Sequence, residues 1–162
     1  MSEAADNAGV IAPPPLLAAA AIVLGLALDW LAPAYLLTVL LTLTARILIG
    51  TLLIAAGLGL VIPANLVFRR AGTHPEPWKP SLTLATGGVF AWMRNPMYVG
   101  GTLILLGLAL ALASDWTVVM TAVFALVIHF GVVLREERYL AAKFGESYRD
   151  YRARVPRYGW PV

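Results

Sequence analysis

The sequence predicts an all-α, polytopic membrane protein of about four transmembrane helices followed by a C-terminal amphipathic interfacial helix. Three observations predict it. First, 60% of the 162 residues are hydrophobic and 13% are charged, whereas soluble domains carry about a quarter charged residues. Second, the apolar surplus is gathered into four stretches of about twenty residues, each able to cross or nearly cross a hydrocarbon core of about 30 Å. Third, the positive charges are gathered too: four of the twelve Lys and Arg lie between the second and third stretches, and seven follow the fourth. The length suits one domain.

Residues 1–15 are polar and then Pro-rich, with Glu3 and Asp6 but no Lys or Arg. They lack the basic start of a signal peptide and read as a flexible lead-in to a single domain over residues 16–162. Span one is Leu16–Ala34, apolar but for Asp29, which falls with Trp30 at the far interface. The Thr-rich stretch Tyr35–Ala45 fits either a tight connection or an extension of a neighbouring helix, and Arg46 marks an interface. Span two is Ile47–Phe68, where Gly50, Gly57 and Gly59 suit close approach of another backbone in lipid. Arg69 and Arg70 close it. Ala71–Met93 is the longest loop, polar and Pro-rich, with Trp78 and Trp92 suited to the headgroup layer.

Span three, Asn95–Ala113, and span four, Trp116–Leu134, are separated only by Ser114 and Asp115, which forces a helical hairpin. In the tail, residues 135–162, Leu140, Phe144, Tyr148 and Tyr151 recur at helical spacing with arginines on other faces. That pattern predicts a helix along the membrane surface. Gly145 breaks or caps it, since a mid-helix glycine is less favourable than alanine by about 1 kcal/mol. Eleven of the twelve Lys and Arg then lie on one side of the membrane and only Arg46 on the other. The positive-inside bias makes the crowded side the cytoplasm, together with both termini.

The chain has no cysteine, which excludes disulfides, thiolate nucleophiles and Cys-ligated metals; no metal site is expected. Chemistry concentrates at two places. Arg94-Asn95-Pro96-Met97-Tyr98-Val99-Gly100-Gly101 opens span three with a capping Asn and a first-turn Pro, leaving helix N–H groups free to attract an anion. Arg94 adds a positive fork and Tyr98 a hydroxyl, while Gly100 and Gly107 lie seven residues apart on one face, with room for a ligand or a close helix. The same residues also suit a snorkelling arginine, an ordinary cap and packing glycines. At the end of span four, Glu136 and Glu137 sit against the helix dipole, and His129 lies seven residues before Glu136 on the same face. Neutralisation by Arg135 and Arg138, and a helix-to-helix hydrogen bond from His129, are the structural alternatives. Because the hairpin turns at Ser114-Asp115, Arg94 and Tyr98 must stand beside Glu136 and Glu137.

At these residues the sequence resembles the membrane methyltransferases that include isoprenylcysteine carboxyl methyltransferases and phospholipid N-methyltransferases. The resemblance runs from about Phe68 to Val155. It is carried by Arg69-Arg70-Ala71-Gly72-Thr73, Arg94-Asn95-Pro96-Met97-Tyr98-Val99-Gly100, Glu136-Glu137-Arg138-Tyr139-Leu140, Lys143-Phe144-Gly145 and Tyr148-Arg149-Asp150-Tyr151. It implies S-adenosylmethionine held by the last hairpin and the tail, with Arg94, Asn95, Pro96, Tyr98, Gly100, Gly107, Glu136 and Glu137 as cofactor contacts. Asn95 stands where histidine is commoner. It also implies methyl transfer to an amphiphilic lipid or lipidated acceptor that enters from the bilayer. A lipid amine is favoured over an isoprenylcysteine carboxylate, with His129 or Glu136 removing the ammonium proton; Asn65 of span two suits either the substrate wall or a hydrogen bond to another helix. The alternative is a non-catalytic membrane subunit or small transporter. Nucleic acid is not an expected partner, since the tail's basic residues suit the anionic inner leaflet.

Overall fold

The computed structural model describes residues 6–159, so the first five residues of the lead-in and the last three of the tail lie outside it. Pro14 and Pro15 open α1 (Pro14–Leu31), where proline is tolerated because first-turn N–H groups have no helical partner. The lead-in is more than a tether. Ala8 N–H donates to Pro77 O at 3.2 Å, Ile11 N–H to Gly131 O at 3.3 Å, and Arg135 Nη1 to Gly9 O at 2.8 Å. Asp6 accepts from Lys143 Nζ at 2.7 Å and from Tyr139 Oη at 2.9 Å. From Asp6 onward this segment is a strap across the second half of the chain.

The stretch that sequence leaves unplaced becomes α2 (Leu36–Leu40). Its first two N–H groups, of Leu36 and Leu37, each donate to a carboxylate oxygen of Asp115 at 2.9 Å, a charged cap on the positive end of the helix. The segment therefore crosses the end of the hairpin that turns at Ser114. Asp29 reaches the same turn, accepting from Ser114 Oγ and from Trp116 N–H. α3 (Leu43–Arg70) begins four residues earlier than expected, with Thr42 Oγ1 capping Ala45 N–H, so Arg46 sits inside its first turn.

After a loop containing one 3₁₀ turn (Gly88–Ala91) come α4 (Pro96–Ala111) and α5 (Asp115–Ile128). α5 does not end at Leu134. It runs through a π-helical turn (His129–Val133) into α6 (Leu134–Phe144), making one 30-residue rod from Asp115 to Phe144. The break falls at Gly145, whose φ of 54° and ψ of −121° are open to glycine because it lacks a Cβ. There the chain turns into α7 (Glu146–Arg154). Tyr148, Tyr151 and Val155 pack with Leu140, Phe144 and Leu84, so the tail's apolar stripe closes against α6 and the loop.

α1, α3 and the rod are long and apolar enough to cross a membrane; α4, with 16 residues, is apolar but shorter, about 24 Å. α3 packs along α4, α4 on α5, and α5 on α1, so the spatial order is α3, α4, α5, α1. The α3–α4 seam is built on glycine. A Cβ on Gly57 would lie 2.5 Å from Gly100 O, and one on Gly107 would lie 2.6 Å from Gly50 O. This is the backbone approach that small residues permit between membrane helices. The core inside joins Ala21, Leu105, Phe124, Ile128, Val132 and Val133. Outward, Val23, Leu52, Ile62, Leu126 and Phe130 are exposed, an apolar surface suited to lipid. Among the described residues there is no strand. The protein is an all-helical integral membrane protein.

Candidate active site

The hairpin brings the start of α4 against the start of α6. Tyr98 Oη donates to Glu136 Oε2 at 2.8 Å, and Arg94 Nη2 lies 3.2 Å from Glu137 Oε1. Arg157 forks onto both oxygens of Glu137, Nε to Oε1 at 2.9 Å and Nη2 to Oε2 at 2.8 Å. The Arg94 and Glu137 side chains are only 9% and 8% exposed. A buried charge is tolerable only when paired and hydrogen-bonded, and Glu137 is held by two guanidinium groups. Arg94 is not satisfied in the same way: its Nε and Nη1 are buried and without a partner.

Arg157 reaches the site because Gly145 returns the chain. Arg94 N–H donates to Pro156 O at 2.9 Å, and Asn95 Nδ2 donates to Arg157 O at 3.2 Å. Asn95 thus flanks α4 without capping it through its side chain; its amide ties down the tail. Tyr151 Oη donates to Phe90 O at 2.7 Å, locking α7 to the 3₁₀ turn. Burial, reinforced by the Glu137 charge, pushes the Tyr148 hydroxyl up to about 12 against the opposing pull of Arg94 and Arg152, so it stays protonated.

A pocket opens between these elements, lined by Arg94, Asn95, Pro96, Tyr98, Glu136 and Glu137. Six of the eight expected cofactor contacts therefore converge. Gly100 and Gly107 do not line it; they lie in the α3–α4 seam, the close-helix use of their spacing. Asn65 Nδ2 donates to Val61 O of its own helix at 2.9 Å and is also away from the pocket. His129 does not join Glu136. The intervening π turn adds a residue to the helical repeat and breaks the seven-residue register, and His129 Nδ1 shares a 2.7 Å hydrogen bond with Tyr158 Oη.

The sequence reading missed Arg157, Phe68 at the end of α3, and the pocket's loop side, with His74, Glu76, Ser81, Leu84 and Phe90 on its wall. No local signal singles out Arg157 among the tail's many arginines. The Pro-rich loop has no periodicity that shows which side chains turn inward. Among the described residues no cluster of His, Cys, Asp or Glu is arranged to hold a metal.

Fold and site together define an integral membrane helical bundle with a charged pocket at one end of its last hairpin. The chain belongs to the phospholipid methyltransferase family, whose model matches residues 45–147. It is 40% identical over 76 residues to a protein-S-isoprenylcysteine O-methyltransferase of Schizosaccharomyces pombe, covering 45% of this chain and 31% of that protein. To the Mus musculus protein of the same name it is 38% identical over 74 residues, 46% of this chain and 26% of the relative. An uncharacterized protein of Haemophilus influenzae is 40% identical over 62 residues, 38% of this chain and 98% of that protein. The chain thus matches less than a third of the length of either isoprenylcysteine relative. No solved structure matches it.

Proposed function

We propose that this protein transfers a methyl group from S-adenosylmethionine, the donor used by methyltransferases of its family, to a membrane-embedded amphiphilic acceptor. The observation that carries the reading is Arg94, buried at the pocket wall with two nitrogens lacking partners. Orphaned buried donors are costly unless something accepts from them, and a guanidinium edge fits a carboxylate. The donor set therefore fits the cofactor's amino-acid end. Arg94 would take the carboxylate, and Glu136, held in place by Tyr98, faces the same pocket and suits the ammonium. Glu137 acts one step back, orienting Arg94 and Arg157. When bound, the cofactor supplies an electrophilic methyl on sulfur. For an in-line displacement, alignment and exclusion of water supply most of the acceleration, and the strap, loop and α7 wall the pocket off.

The acceptor order follows from the proton. A lipid ammonium must lose one before it attacks, but His129 lies outside the pocket and is bonded to Tyr158. Glu136, the other candidate base, accepts from Tyr98 and is assigned to the cofactor's ammonium. An acceptor carboxylate needs no base, and two relatives are named for isoprenylcysteine O-methylation. We therefore place a prenylated carboxylate ahead of a lipid amine. The test is a radiolabelled-methyl assay on a prenylated cysteine and on phosphatidylethanolamine. Label recovered as base-labile ester is expected, and label in the lipid alone would reverse the order. Arg94→Ala should weaken S-adenosylhomocysteine binding by about ten- to a hundredfold, the loss of a charge-assisted hydrogen bond. Calorimetry showing wild-type affinity in that variant would remove Arg94 from the site.

The pocket, the loop and both termini are placed on the cytoplasmic side, on the strength of the eleven-to-one distribution of Lys and Arg. Accessibility tags at the N-terminus, at Gly72 and at the C-terminus should all report that side, and a tag at Ser114 the other. An opposite reading at the C-terminus would invert the protein.

A further inference from the structure

The pocket holds a second unsatisfied group, of opposite sign to Arg94. Glu76 lines it from the loop; its Oε1 accepts from Lys79 Nζ at 3.0 Å, while its Oε2 is buried and accepts no hydrogen bond. The Lys79 ammonium holds the Glu76 carboxyl below the usual carboxylate range, so it is ionised at neutral pH. The side chain as a whole is 32% exposed, but its Oε2 is buried and makes no hydrogen bond to another residue, which suits a donor from a bound molecule.

Its location separates it from Arg94. Positions 137 and 139 point about 200° apart around α6, and the two sides of the pocket meet that helix at these two residues. Arg94 and Arg157 reach Glu137. The loop reaches Tyr139, whose Oη accepts from Ser81 N–H at 3.1 Å. The strap fixes the loop on that side, because Ala8 N–H donates to Pro77 O and Asp6 accepts from Tyr139. The lining also includes the aromatic and aliphatic side chains of Phe68, Phe90, Tyr148 and Leu140.

We propose that Glu76 receives the nucleoside end of the bound cofactor, Oε2 accepting from a ribose hydroxyl or the adenine amino group, while Arg94 takes the amino-acid carboxylate across the pocket. The assignment rests on the cofactor reading above. It follows from matching ends. The cofactor's ammonium and carboxylate share one carbon, so the ammonium must stay on Arg94's side, near Glu136, and the donors left for Glu76 are those of the nucleoside. The planar base suits the aromatic part of the lining.

The experiment titrates full-length protein in detergent with S-adenosylhomocysteine and with 5′-methylthioadenosine, which keeps the nucleoside and thioether but lacks the amino-acid group. Glu76→Gln should weaken both ligands by the same factor, about ten- to a hundredfold. Arg94→Ala should weaken the first and leave the second unchanged. Thermal unfolding of each variant checks that it is folded, and Glu76→Asp, which keeps the charge, should recover part of the affinity. Equal affinity of Glu76→Gln and wild type for methylthioadenosine would overturn the proposal, whether or not S-adenosylhomocysteine is affected. Wild-type protein that binds neither ligand would instead overturn the cofactor reading itself.

Discussion

Replacing Glu137 by alanine is expected to lower stability by about 3–5 kcal/mol, the cost of breaking a buried ion pair from one side. In a chain of this size that lowers the unfolding midpoint by on the order of 10 °C. The effect is large because one carboxylate serves two guanidinium groups. Arg94 is buried and already lacks partners on two nitrogens, so losing Glu137 leaves it almost entirely unsatisfied. Arg157 loses both of its side-chain bonds and with them the link that holds the tail over the pocket. S-adenosylhomocysteine binding should fall with stability. Glu137→Gln, which keeps an acceptor but removes the charge, should fall between. Combining Glu137→Ala with Arg157→Ala should cost less than the sum of the two, because the second change removes a cation that the first stranded. Additive losses would show that the three groups do not act as a unit.

The second large effect lies in the membrane, away from the charges. Gly57→Val should abolish recovery of a folded, monodisperse protein, since a Cβ there meets Gly100 O at 2.5 Å and Ile104 Cγ1 at 2.7 Å. Overpacking a core that can relax costs about 1–3 kcal/mol. Here one obstacle is the backbone of the facing helix, and the only relief is to separate α3 from α4 along their length. Gly107→Val should behave alike, because its Cβ would meet Gly50 O. Gly59→Ala is the control: nothing lies within 4 Å of its Cβ, and alanine is the better helix former. Size-exclusion profiles and tryptophan fluorescence unfolding measure both. A Gly57→Val protein with a wild-type profile would show that the seam is looser than described.

Much of this was legible because hydropathy and charge act over whole segments. The apolar stretches, the tight hairpin and the polar loop are all present, and the hairpin alone brings Arg94 and Tyr98 beside the two glutamates. What was not legible depends on single contacts between distant residues. Nothing near Tyr35 announces that Asp115, almost eighty positions later, caps α2. A Pro-rich, polar lead-in reads as loose chain, and only its bonds to distant Pro77, Gly131, Arg135, Tyr139 and Lys143 make it a strap. The π turn was equally hidden: one added residue at 129–133 rotates His129 out of the register that had joined it to Glu136. Arg157 lies twenty positions beyond Glu137, and its approach requires the turn at Gly145.

The strap also has a consequence for the timing of assembly. Ile11 docks on Gly131 and Asp6 on Lys143, so the strap, made before its partners, meets them only once α6 has been synthesised. At about 5–20 residues per second, synthesis of the residues from Asp6 to Lys143 takes roughly seven to twenty-seven seconds. During that interval α1 and α3 enter the membrane with the strap unpaired and the pocket without its last wall. Closure is therefore a late event, and a ribosome-bound chain stopped before α6 should contain most of its membrane helices but not the closed pocket.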